Sequence, residues 1–310
     1  MASPLMHVEP FAEAELLCPA KINLALSVGA PLDNGFHPIA SWMVAVDFAD
    51  QLSIQCIEGD EDRYHIAWAD DAPVRQTVDW PVEKDLAYRA HRLLEEKIGK
   101  KLPAVEVTVS KHIPAGAGLG GGSSDAAGML VGLNELFELK LEESSLLELA
   151  IQLGCDVSFG IAAFHGKSSA IARGLGEVLE PSILTERIPI VLILPPFGCP
   201  TSDVYKQFDR LNDNVKTADP DAVVSLRHDL PLPFDGPFND LAEPAMQVQP
   251  ALREAVEHVQ KIISRTVHVT GSGAAMFAIA ETDEDAVMLQ DLIIEGCNMP
   301  AVVTKTIQPR

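Results

Sequence analysis

The 310-residue chain predicts an α+β fold in two parts. Three observations carry that expectation. Strand-like and helical periodicities follow one another without a regular strand–helix–strand repeat in the first half. The composition shifts around Pro181–Pro189. Beyond it the order helix, strand, strand, helix, strand suits helices packed on one face of an antiparallel sheet. The boundary falls near residue 185, giving an N-terminal domain 1–185 and a C-terminal domain 186–310.

The elements can be justified in order. An apolar strand-like run, Ile22–Val28, follows Lys21. Gln51–Ile57 and Val105–Val109 alternate as strands do, with Val105, Val107 and Val109 on one face. Between them Leu86, Ala90, Leu93, Leu94 and Ile98 share one face of a helix over Leu86–Ile98. After a glycine run, Ser124 is placed to cap a helix carrying Ala127, Leu130, Leu133 and Phe137. A second helix, Glu142–Leu153, begins with carboxylates that suit its dipole and stops at Gly154. Lys167–Val178 contains a Gly-Leu-Gly turn and reads as a hairpin, and Ile190–Leu194 as a short buried strand. Asp209–Pro237, rich in Asp and Pro, reads as loop and short helix. The remainder reads as helix Ala251–Ser264, strands Val267–Thr270 and Ala275–Ala280, helix Asp283–Ile294 and strand Val302–Ile307.

Composition narrows the function. Apolar residues make up 47% and charged residues 22%, enough to fill a core, and aromatics at 5% make that core aliphatic. The net charge is 23 − 45 = −22, with no dense Lys/Arg cluster. Such a surface repels nucleic acid and anionic membranes and leaves small molecules as the expected partners. Five scattered cysteines without a C-x-x-C argue for reduced thiols in a cytoplasmic setting, against both a disulfide frame and a zinc site. No basic segment followed by an apolar stretch opens the chain, and the apolar run Ile188–Pro196 is too short to span a bilayer. A monomer or weak homodimer is expected.

The stretch "IPAGAGLGGGSSDAAGML", Ile113–Leu130, is the most informative. Gly116, Gly118 and Gly121 satisfy G-x-G-x-x-G literally. In a dinucleotide fold, however, the strand runs straight into the first glycine, whereas here Lys111–Ala115, with Pro114, intervenes. No Gly-Lys-Ser/Thr follows, so it is not a Walker A loop. A connector without ligand is one reading. The other is a glycine loop feeding a helix, whose free N–H groups and positive dipole end bind an anion without cationic side chains. That suits a polyphosphate on so acidic a protein. Ser123 and Ser124 would add hydroxyls toward phosphate or a bound Mg²⁺.

The stretch Pro114-x-x-x-Gly118-Leu119-Gly120-Gly121-Gly122-Ser123-Ser124-x-Ala126-Ala127 resembles the central motif of the GHMP small-molecule kinases. "CPAKINLALSVG" at Cys18–Gly29 and "HVTGSGAAMFAI" at His268–Ile279 resemble the first and third motifs of that family. "PAKINL", "GFHPIAS" at Gly35–Ser41 and "GCDVSF" at Gly154–Phe159 are most similar to a branch whose acceptor alcohol carries a cytidyl group. The resemblance spans residues 17–307. It implies an N-terminal ATP domain like the second domain of ribosomal protein S5 and a ferredoxin-like C-terminal α/β sandwich. It also implies ATP as co-substrate, Mg²⁺, and phosphoryl transfer to a hydroxyl. A homoserine- or mevalonate-type kinase, an NAD-dependent oxidoreductase and a non-catalytic nucleotide-binding regulator are the competing readings.

The resemblance also assigns roles. Lys21 alone reads as a snorkelling surface lysine and Asp156 as a turn or cap residue; by resemblance they are the catalytic pair. An ammonium that offsets negative charge beside a carboxylate that takes a proton suits phosphoryl transfer. The ATP site is implied to comprise Lys111, Pro114, Gly116, Gly118, Leu119, Gly120, Gly121, Gly122, Ser123 and Ser124, completed by Gly271, Ser272 and Gly273, which otherwise read as a tight hairpin turn. Asn23, Phe36, His37, Thr201 and Tyr205, with Asp156, are implied to hold the acceptor, its cytosine stacked between Phe36 and Tyr205. Tyr205 reads equally as the apolar face of a helix. Four positions depart from the family pattern: Asn34 for an Asp, Phe36 for a Tyr, Asp85 for a nucleotide-binding Asn, and Ser158 for a Pro.

Overall fold

Two long antiparallel strands, β1 (Glu13–Val28) and β2 (Ile39–Cys56), form the spine of the first sheet. The sequence reveals only parts of them, because both faces are covered along Ile22–Val28 and Ala40–Val46 and no polar–apolar alternation survives there. In this computed structural model residues 12–182, 184, 186–211, 217–228 and 231–308 are described.

Next come β3 (Arg63–Trp68), α1 (Leu86–Ile98), β4 (Val105–Lys111), α2 (Gly121–Leu136), α3 (Glu143–Leu153), α4 (Cys155–Phe164), β5 (Ser169–Gly174) and β6 (Val178–Pro181). The C-terminal half contributes β7 (Pro189–Ile193), α5 (Thr201–Leu211), α6 (Pro220–His228), β8 (Phe238–Asn239), α7 (Ala242–Val248), α8 (Pro250–Ile263), β9 (His268–Val269), β10 (Met276–Ile279), α9 (Asp283–Cys297) and β11 (Ala301–Lys305). The first sheet has the order β3-β4-β2-β1-β8; the N-terminal half of β2 also pairs with β5, which pairs with β6. The second is ordered β11-β7-β10-β9 and is antiparallel.

Sheet membership thus changes after β6, but the separation is incomplete. β8, from the second half, pairs in parallel with β1 through Ala25 and Leu26. One core cluster joins Ile22, Leu24 and Trp42 to Ile190, Leu192 and Phe277, so both sheets bury side chains in common. The two halves are therefore held together by a continuous core.

Some expectations need correction. Ser124 does not cap α2. Gly120 is its N-cap, in the left-handed conformation (φ 71°), and makes no side-chain cap bond; Ser124 lies inside the first turn. The glycine run itself terminates in helix geometry, so no capping side chain is required. α4 leaves no periodic trace in the sequence, because it is buried on most faces and has no polar stripe to give it a helical period. Of the 209–237 segment, α5 runs into it as far as Leu211 and α6 fills 220–228, while residues 212–216 and 229–230 lie outside the described set.

Candidate active site

β1 carries two register irregularities, between Pro19 and Lys21 and between Asn23 and Ala25. Bulges of this kind re-aim side chains. Here they turn a strand residue toward the glycine loop: the Lys21 backbone N–H donates to the Leu119 carbonyl at 2.9 Å. The Lys21 ammonium donates to Asn23 Oδ1 at 2.8 Å and lies 3.4 Å from Asp156 Oδ2. Asn23 is fixed in turn, donating through Nδ2 to Ser41 Oγ at 2.8 Å and through its backbone N–H to Thr270 Oγ1 at 2.9 Å. Asp156 occupies the first turn of α4, where the dipole favours a carboxylate, and its side chain is 38% exposed against 10% for Lys21. The pair therefore consists of a buried, anchored cation and an accessible acid.

The glycine loop lies alongside. Gly116, Gly118 and Gly120 all have positive φ. The first intrahelical bond of α2 recorded at its entry runs from Ser124 N–H to Gly120 carbonyl, so the amides of Gly121, Gly122 and Ser123 precede the helical ladder. Gly122 is exposed, and a Cβ there would find only Leu86 Cδ1, at 3.8 Å. Gly121, by contrast, faces inward: a Cβ would sit 2.9 Å from the Ile113 side chain and 3.2 Å from Asp50 Oδ2. Pro114 and Leu119 are buried, so their side chains shape the loop from beneath. The Ser124 hydroxyl is buried, with no hydrogen-bond partner among the described residues, in a small recess shared with Lys21, Gly120 and Asp156.

The second loop, Thr270–Ala275, packs on the first. Ala275 N–H donates to the Ala117 carbonyl at 3.0 Å, and a Cβ on Gly118 would overlap the Thr270 carbonyl oxygen. Ser272 Oγ is 2.9 Å from Thr201 Oγ1, which ties the loop to the start of α5. Asn239, which sequence reasoning missed, donates to the carbonyls of Val269 and Gly271, both at 2.8 Å. No sequence signal marks it, because its partners are 30 and 32 residues away.

At the acceptor end His37 Nδ1 donates to the Gly29 carbonyl at 2.9 Å, a bond that fixes the ring. His37 stacks on Tyr205 with centroids 5.0 Å apart and meets Phe208 edge-on at 5.8 Å. Phe36 stands apart, 63% exposed, so the expected Phe36–Tyr205 sandwich is not closed in the protein alone. Burial, with the nearby charges of Asp156 and Cys155 adding to it, pushes the Tyr205 phenol up to about 12. Asp85 caps α1, accepting from Ala87 N–H at 2.9 Å and from the Trp80 indole at 3.0 Å. Asn34 Oδ1 accepts from Phe36 N–H at 3.0 Å, and Ser158 is buried within α4.

Lys111, expected to line the nucleotide site, is buried, and its ammonium donates to both Asp50 and Asp125. Burial pushes the Asp125 carboxyl up to about 7, against the pull of Lys111 and with the help of Asp50. A raised acid binds its proton more tightly when folded, so this group's contribution to stability falls as pH rises from about 4 to about 7. Asp125→Asn is therefore expected to gain in melting temperature relative to the parent as pH is raised from about 5 to about 8. Thermal melts across that range check this; a flat difference refutes it.

The model of the GHMP kinases N terminal domain matches residues 85–172, from the start of α1 through the glycine loop into β5. A 4-diphosphocytidyl-2-C-methyl-D-erythritol kinase of Geobacillus thermodenitrificans is 34% identical over 268 residues, 86% of this chain and 87% of its own length. One from Exiguobacterium sibiricum is 33% identical over 287 residues, 92% and 95%. A crystal structure of 4-(cytidine 5'-diphospho)-2C-methyl-D-erythritol kinase superimposes with a TM-score of 0.75 at 30% identity, covering 94% of this chain and 99% of that one. The likeness extends beyond the shared domain to both halves of the chain, and on that ground the protein belongs to the GHMP kinases, in the branch of the 4-diphosphocytidyl-2-C-methyl-D-erythritol kinases.

Proposed function

We propose that this small-molecule kinase transfers the γ-phosphoryl group of ATP to the 2-hydroxyl of 4-diphosphocytidyl-2-C-methyl-D-erythritol, a step of the non-mevalonate isoprenoid route, in the cytoplasm. The observation that carries the reading is the 3.4 Å Lys21–Asp156 pair at the mouth of the glycine loop. Asp156 accepts the hydroxyl proton as the acceptor oxygen bonds to the γ-phosphorus, and the bond to the bridging oxygen breaks to release ADP. Lys21 offsets the charge on the transferring group, held on station by Asn23. The amides opening α2 hold the polyphosphate, a role that suits a chain of net charge −22.

The site fits Mg²⁺ modestly. Among the described residues no group of three or more His, Cys, Asp or Glu is placed to hold a metal. The orphaned Ser124 hydroxyl and the Asp156 carboxylate supply two oxygen donors, and the phosphates of ATP would supply others. Bound there, the ion would neutralise phosphate charge.

His37 and Tyr205 support a cytosine-bearing acceptor over a small one such as homoserine or mevalonate. With Nδ1 committed to the Gly29 carbonyl, Nε2, 3.5 Å from Asp209 Oδ1, is the ring nitrogen left to meet the polar edge of a base. Tyr205→Ala is expected to raise KM for the cytidyl substrate with a smaller change in kcat, the loss being on the scale of about 1–3 kcal/mol per stacked base. His37→Ala is expected in addition to narrow the preference for cytidyl over uridyl substrate. Steady-state kinetics with both compounds, homoserine and mevalonate decide the matter. Turnover of homoserine or mevalonate but not the cytidyl compound would overturn the assignment.

A further inference from the structure

One lysine and two aspartates lie beside the glycine loop and take no part in the transfer step. Asp50 is on β2, Lys111 ends β4, and Asp125 is near the start of α2. Their side chains are 0%, 5% and 4% exposed. Lys111 donates to Asp50 Oδ2 and, at 2.5 Å, to Asp125 Oδ2. Asp50 Oδ1 also accepts the backbone N–H groups of His112 at 2.5 Å and Ile113 at 2.8 Å. The first residue of α2, Gly121, is packed against Ile113 and Asp50 closely enough to leave no room for a Cβ.

The cluster therefore grips the loop at both ends. The chain enters through 111–113, which Asp50 anchors to the sheet, and leaves through 121–125, which Asp125 ties to Lys111. Burial would push the Lys111 ammonium down, but the two carboxylates outweigh it and hold it above its ordinary value. Drawing that cation out to a phosphate would strand two buried carboxylates, which is far costlier than leaving the pairs intact.

On the reading that the glycine loop holds the phosphates of ATP, we propose that Asp50, Lys111 and Asp125 form a positioning cluster that sets the backbone of that loop, with Lys111 acting on the loop and not on the nucleotide. The two roles of Lys111 predict opposite results when a carboxylate is removed. Asp50→Asn places an amide –NH₂ against either the ammonium or the two backbone donors, and Asp125→Ala unties α2 from Lys111. If the cluster positions the loop, ATP binding weakens in both. If Lys111 is a nucleotide ligand, losing a competing carboxylate frees it, and ATP binding is unchanged or tighter.

The test titrates Mg-ATP calorimetrically into the full chain and measures KM for ATP and for the cytidyl substrate. A misplacement of about 1 Å suffices for losses on the order of 10²-fold, so a rise of at least about tenfold in Kd and KM for ATP is expected in both variants. KM for the cytidyl substrate should stay near the parent value. Asp125→Asn, which keeps an oxygen facing Lys111, should restore ATP affinity. Unchanged or tighter ATP binding in the folded variants overturns the proposal, as does an equal rise in both KM values. If Asp50→Asn does not fold, Asp125→Ala, which leaves a one-to-one Lys111–Asp50 pair, decides alone. A parent chain that binds no Mg-ATP would refute the phosphate-loop reading itself, a failure visible before any variant is made.

Discussion

Lys21→Ala and Asp156→Asn should each lower kcat by a factor on the order of 10²–10⁴ while leaving the fold intact. In the proposed reaction the two groups act on different parts of one event. Asp156, the accessible carboxylate, would take the hydroxyl proton, and Lys21, the anchored ammonium, would lie beside the transferring charge. Neither is central to stability: Asp156 is 38% exposed at a helix start, and truncating Lys21 leaves its backbone bond to Leu119 in place. Circular dichroism and thermal melts establish folding, and single-turnover kinetics at saturating ATP report the chemical step. Near-parental rates in both folded variants would remove this pair from the reaction.

Gly118→Ala is the second large effect. Gly118 has φ 80°, and its missing Cβ is what allows the Thr270 carbonyl to approach. A left-handed conformation for a residue with a side chain costs of order 1–3 kcal/mol, and the overlap with Thr270 adds to that. Displacing Thr270 disturbs Asn23, whose backbone N–H donates to the Thr270 hydroxyl and whose side chain holds Lys21. Loss of melting temperature and a fall in kcat/KM on the order of tenfold or more are therefore expected together, since each 1.4 kcal/mol of lost transition-state stabilisation is about tenfold. Gly122→Ala is the contrast. Its Cβ has room within the protein and the helical position gains about 0.5–1 kcal/mol over glycine, so stability should hold or rise while ATP affinity falls. Should Gly122→Ala bind ATP as the parent does, the phosphates do not approach α2 at that point.

Much of the site is legible in the one-dimensional pattern because it is local. The glycines of 116–122 announce left-handed backbone and close approach within a single loop, and the loop's own curvature fixes the start of α2. Helices α1, α3, α8 and α9 show because each keeps a polar face toward solvent, so burial imposes a 3.6-residue period on the residue types. The middle of β2 and all of α4 do not show, since burial on most sides erases that period.

The sequence alone therefore determined the α+β class, the glycine loop and, through its motifs, the pair proposed to react. Only the tertiary structure decided where Lys111 points, that His37 and not Phe36 meets Tyr205, and that Asn239 and Thr270 tie the second loop to β8 and β1. Each of these rests on partners far apart in the chain. Asp50 and Lys111 are 61 residues apart, and Asn23 and Thr270 are 247 apart. A buried charge has no preferred partner until folding removes water from around it; the partner that satisfies it is then chosen by sheet register and helix packing, which local sequence does not encode.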